Sequence, residues 1–140
     1  EVEQRIRVRM KRQSLLFQDD PLQLSIILDE AALRRPVGGI DAMRRQLDKL
    51  VNAAGLPHVT LQVLPLSAGA HGGMDGAFTI LLFEEQANQN LVFAANGAGG
   101  LFLEKDDEIE RYASIFAGLQ RGALSPTRSI EMIATMAKEP

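Results

Sequence analysis

Residues 29–35 read DEAALRR and residues 66–76 read LSAGAHGGMDG, and together they supply three acids, two arginines and a histidine. Asp29, Glu30 and Asp75 offer carboxylates, Arg34 and Arg35 offer cationic donors, and His71 offers an imidazole. This mixture suits the binding of a small polar ligand or a partner. It would also serve a small hydrolase or nuclease in which His71 works with Asp75 or Glu30. The plainer alternative is that Asp29 caps a turn, the arginines are solvated and His71 is an ordinary loop residue. Nucleophilic catalysis has little else to draw on, because neither Ser67 nor Ser25 sits in a G-x-S-x-G elbow. The chain contains no cysteine and two histidines. The second histidine, His58, precedes a strand with no H-E-x-x-H or carboxylate cluster to complete a metal site. The glycine-rich segments lack the Lys-Ser/Thr of a phosphate loop, and GAGG (97–100) opens no helix in the manner of a dinucleotide fold. We therefore expect no enzyme, no metal and no cofactor.

Whether the two segments meet depends on the elements that carry them. Residues 22–28 (LQLSIIL) read as a buried strand that delivers Asp29 and Glu30 at its carboxyl end. Residues 29–39 read as a charged loop or short helical turn, closed by Pro36 and two glycines. From Asp41, which can be the N-cap or lie in the first turn, Met43, Leu47, Leu50 and Val51 recur at i, i+4, i+7, i+8 as an amphipathic helix. Residues 59–64 (VTLQVL) form the returning strand, stopped by Pro65. A strand, a crossover helix and a second strand make one right-handed parallel unit. Ligands bind such units at the rim where the strands end. Asp29, Glu30, Arg34 and Arg35 leave from one strand end, and His71 and Asp75 from the other.

The rest of the chain completes the architecture. Residues 1–18 form a helix, since Glu, Gln, Arg, Met and Leu dominate there, although Ile6, Val8 and Met10 also alternate as in a strand. Asp19-Asp20-Pro21 ends it. Residues 78–83 and 91–94 are strands joined by a polar turn, and NGAGG (96–100) turns tightly into a strand at 101–103. Residues 106–124 form a helix with Ile109, Tyr112, Ile115, Phe116 and Leu119 on one face. Ser125 and Pro126, an N-cap and a first-turn proline, open the last helix over 127–137. The later strands are linked too tightly for crossovers and must be antiparallel. The expected fold is α/β (α+β), a mixed sheet of about five strands with one parallel β-α-β unit, in the order α-β-α-β-β-β-β-α-α. One domain is expected over residues 1–140.

Composition limits the function further. The hydrophobic share of 46% supports an ordinary core without disulfides. The net charge of -3, the absence of Trp and the single Tyr argue against a nucleic-acid surface or a base-stacking platform. Arg5, Arg7, Arg9, Lys11 and Arg12 on the first helix are a solvated face diluted by Glu1 and Glu3. No apolar run is long enough to span a membrane, and the N-terminus does not resemble a signal peptide. A cytoplasmic location is expected.

The segments RMKRQSLL (9–16), LDEAALRRPVGG (28–39), VTLQVLPLSAGAHGGMDGAFTIL (59–81) and GLFLEKDDEIERY (100–112) resemble one family over nearly the whole chain. It is the C-terminal domain of unknown function that follows an XRE-type helix-turn-helix in actinobacterial, antitoxin-like transcription regulators. The resemblance implies a regulatory or sensor domain, excised from a longer chain whose N-terminal helix-turn-helix is absent. It also implies DNA contact only through that absent part, together with an unidentified ligand, a small protein partner or a homodimer. This sequence departs from the family's pattern at Ala95, where relatives commonly carry an acid, and at Ala77, where proline is frequent. An acid that serves a ligand there would be missing here. For self-association or partner binding, Met10 on the first helix and Ile130, Ile133 and Met136 on the last are the expected interaction face.

Overall fold

The computed structural model describes residues 1–139, apart from the side chains of 86–88. The first helix, α1 (Val2–Gln13), has Glu3 in its first turn and Lys11 and Arg12 in its last, which complements the helix dipole. Arg5 and Glu1 pair at 2.6 Å, an exposed i, i+4 contact that stabilises by only a few tenths of a kcal/mol. The helix stops short of the expected Gln18. Ser14 donates its hydroxyl to the Lys11 carbonyl, and the chain tightens into a 3-10 turn over Ser14–Phe17. The Leu22 N–H then donates to the Leu15 carbonyl, so the strand that follows begins at Leu24.

The described chain divides into two compact units, one formed by Glu1–Val63 with Ser125–Pro140 and the other by Leu64–Leu124. The first unit contains β1 (Leu24–Asp29), the short helix α2 (Glu30–Arg34) and α3 (Ile40–Ala54), followed by β2 (Val59–Leu64). β1 and β2 pair in parallel with α3 as the crossover, as the pattern predicts. Gly39 is the N-cap of α3, and Asp41 takes the first-turn position.

β2 is the most buried strand, with Leu61 and Val63 inaccessible to solvent. It is also the edge of a two-stranded ladder, where backbone donors lack a neighbouring strand. The closing helix, α5 (Pro126–Lys138), supplies a partner: the Ser129 hydroxyl, fully buried, accepts from the Val63 N–H at 2.8 Å. The start of α5 is fixed by Ser125, which accepts from the Arg128 N–H, and by Pro126 behind it. α5 packs against α3, burying Ile133, Met136 and Leu47.

The second unit contains β3 (Phe78–Leu81), β4 (Leu91–Ala94), β5 (Leu101–Leu103) and α4 (Asp106–Gly122). The strands are antiparallel neighbours in that order, pairing Thr79 with Phe93 and Phe93 with Phe102. On one face Phe78 meets Tyr112 of α4 edge-on at 5.0 Å, and Val92 is wholly buried. The helix opens where the Lys105 N–H donates to Glu108. The expected five strands, one parallel pair and three antiparallel, are all present. The ladders nevertheless form two sheets rather than one, because β3–β5 hydrogen-bond among themselves and β2 ends at Pro65. Among the described residues no helix is long and apolar enough to cross a membrane.

Candidate functional site

The end of β1 sets the first group of side chains. Asp29 is extended (φ -67°, ψ 134°) and accepts from the Ala31 N–H at 2.9 Å, so it is the N-cap of α2. One turn of helix then brings Glu30 and Arg34 together. Glu30 is buried, and its carboxylate accepts from Arg34 Nε at 2.6 Å. That bond, with the charge behind it, holds the Arg34 guanidinium above its already high ordinary pKa. Arg35 is exposed at the C-cap of α2.

His71 and Asp75 lie in the other unit. There the loop before β3 comes close to α4: a Cβ on Gly72 would stand 3.1 Å from the Ile115 side chain. The loop also fixes the His71 ring, whose Nδ1 accepts from the Gly73 N–H at 3.1 Å. A neutral His71 therefore carries its proton on Nε2. Asp75 is exposed. The structure thus brings Glu30 and Arg34 together and keeps Asp29 as a cap. His58, the other histidine, bonds through Nε2 to the Leu16 carbonyl at 2.7 Å and secures the 3-10 turn.

The described concavity of the first unit adjoins this group. It is a pocket of about 140 Å³ whose apolar wall comes from Leu33, Ile40, Met43, Leu47 and Met136. Its polar wall consists of Arg34, Arg44 and Glu139. Arg44 Nη2 donates to the Glu139 backbone carbonyl at 2.8 Å, and Nη1 lies 4.0 Å from Asp41. Arg34 Nη1 lies 3.8 Å from the Glu139 carboxylate. Arg44 Nε is buried with no hydrogen-bond partner among the described residues.

A model of one protein family, a domain of unknown function (DUF5753), matches residues 1–135 of this chain. The chain belongs to this family. No curated protein and no solved structure matches it. The DUF5753 match covers Glu30, Arg34, Arg44 and His71, and it ends just before Met136 and Glu139.

On the surface of this DUF5753 domain the residues of the expected interaction face differ in exposure. Ile133 is 0% and Met136 7% exposed, and Ile130 is partly covered. On α5, Ile133 and Met136 are packed into the core with α3. Met10 is different. It is 55% exposed, beside Ile6 at 54% and Val2 at 71% on the same face of α1, a helix with no buried residue. A second apolar surface is the outer face of β3–β5, where Phe93 and Phe102 touch at 5.0 Å and Phe102 is 65% exposed. Sequence reasoning missed Arg44 and Glu139. They meet across 95 positions of chain, and the helical pattern that located α3 picks out only its apolar stripe.

Proposed function

We propose that this domain is the regulatory half of an antitoxin-like transcription regulator, joined to an N-terminal XRE-type helix-turn-helix, and that it acts by binding rather than by catalysis. Its targets are a small ligand and a protein surface, either a second copy of itself or a small partner. The observation that carries this reading is α1, a twelve-residue helix with no buried residue and an apolar stripe of Val2, Ile6 and Met10. A helix of this length is marginal in water without tertiary cover. Its stripe is suited to burial against another helix, and in the proposed regulator this helix would lead in from the DNA-binding part. A regulator that reads two half-sites also needs a two-fold arrangement.

Sedimentation velocity tests this. At a few tens of micromolar the wild-type chain should sediment as a dimer, and Met10→Glu should sediment as a monomer with unchanged helicity. A wild-type chain that remains monomeric at that concentration would overturn self-association through α1.

A further inference from the structure

We propose that the pocket of the first unit binds a short aliphatic carboxylate, with its acid group on Arg44 beside Arg34 and its alkyl tail against Leu33, Met43, Leu47 and Met136. A sensory use of such a ligand rests on the regulatory reading above; the binding itself rests on the pocket alone. Three features give the ligand its chemistry. Leu33, Pro36, Ile40, Met43, Leu47 and Met136 give the wall an aliphatic and thioether side that fits an alkyl tail, opposite the polar side of Arg34, Arg44 and Glu139. The volume of about 140 Å³ is close to that of cavities known to hold a six-carbon ring, so the ligand has roughly six to eight non-hydrogen atoms.

The third feature fixes its charge. Arg44 keeps Nε buried without an acceptor among the described residues, and its Nη1 faces Asp41 only at 4.0 Å. A guanidinium with an idle edge is matched by a carboxylate taking two parallel bonds. Arg34 cannot take that role alone, because its Nε already holds Glu30 at 2.6 Å, but its Nη1 remains available to share the charge. The Glu139 carboxylate, at 3.8 Å from that Nη1, is the built-in competitor. Glu30, Asp41 and Glu139 already offset the two arginines, so a second negative charge on the ligand adds repulsion and a monoanion is favoured over a phosphate or dicarboxylate.

The five methionines give the test its readout, with Met43 and Met136 in the pocket wall and Met10 and Met74 exposed elsewhere. The full chain, carrying ¹³C-methyl methionine, is titrated with sodium hexanoate and followed by NMR. The Met43 and Met136 signals should shift saturably with a Kd of about 1 mM or tighter, while Met10 and Met74 stay in place. Hexan-1-ol and hexylamine should bind about tenfold more weakly or not at all, since neither gives Arg44 a carboxylate. Arg44→Ala should lose about tenfold in hexanoate affinity, and Glu139→Gln should gain severalfold. Equal affinity for hexanoate and hexan-1-ol would overturn the proposal without any variant. So would shifts spread evenly over all five methyl groups, or no shift up to about 20 mM hexanoate. None of these outcomes bears on the oligomeric state, so failure here leaves the α1 test standing.

Discussion

Replacing Ile133 with glutamate should unfold the first unit, whereas the same charge placed at Met10 should barely change stability. Ile133 is wholly inaccessible and lies on the face of α5 that packs against α3. Truncation to alanine alone should cost about 2–5 kcal/mol, because the lost side chain leaves a cavity. Glutamate adds a carboxyl group that must either lose its hydration as an anion or stay protonated without a partner. The total approaches the roughly 5–15 kcal/mol by which a domain is stable at all. Met10 is 55% exposed, and substitutions at such positions usually fall within about 0.5 kcal/mol. Urea denaturation of Ile133→Ala, Ile133→Glu and Met10→Glu measures this at submicromolar protein, where the wild type is also monomeric and lost association adds nothing. An Ile133→Glu chain as stable as wild type would mean that α5 is not a core helix, and the interface role expected from its sequence would return.

The second large effect is expected in the other unit, at Gly100, the residue before β5. Its φ of +141° is a conformation that L side chains rarely adopt. An added Cβ would also stand 2.6 Å from the Phe93 ring and 2.7 Å from the Ala94 carbonyl. The carbonyl is backbone and cannot swing away, and the ring is held against Phe102. Gly100→Ala should therefore cost about 2–4 kcal/mol from strain and overlap together. In a chain of this length that lowers Tm by roughly 10 °C. Gly97 belongs to the same turn, but a Cβ there meets nothing within 4 Å, so Gly97→Ala is the matched control. Calorimetry showing equal effects at the two glycines would contradict the close approach described for Gly100.

Much of this architecture was legible from pattern alone. Leu91–Ala94 and Leu101–Leu103 were found as expected, because short apolar runs between turn residues leave little choice. The start of α5 was equally plain, since a Ser-Pro pair both caps and begins a helix. The end of α1 was less legible. Apolar periodicity continues to Phe17, whereas the bond from Ser14 to Lys11 tightens the chain earlier. The division into two sheets left no local signal, since which strands share a ladder is decided by long-range pairing.

The site was read in part for the same reason. Arg34 belongs to a charged segment that begins where a strand ends, but the pocket it lines is walled by residues of α3 and α5, which the β-α-β pattern does not indicate. Arg44 and Glu139 are far apart in sequence and meet only once α3 and α5 have packed. The exposed face of α1 and the covered face of α5 carry similar apolar spacing, and periodicity cannot say which of two such stripes is buried. Only the packing distinguishes Met10 from Ile133.

Under the proposed function, this domain regulates by binding and leaves DNA to a helix-turn-helix that precedes it. The direct measurement is fluorescence anisotropy with labelled duplex DNA from upstream of the regulator's own gene, at about 200 mM salt, where non-specific phosphate contacts are weak. The 140-residue chain and the proposed longer protein, in which a helix-turn-helix precedes it, are titrated side by side. Only the longer protein should bind, with sequence preference, while the 140-residue chain, at a net charge of -3, should leave the anisotropy unchanged. Sequence-selective, salt-resistant binding by the 140-residue chain alone would contradict the account.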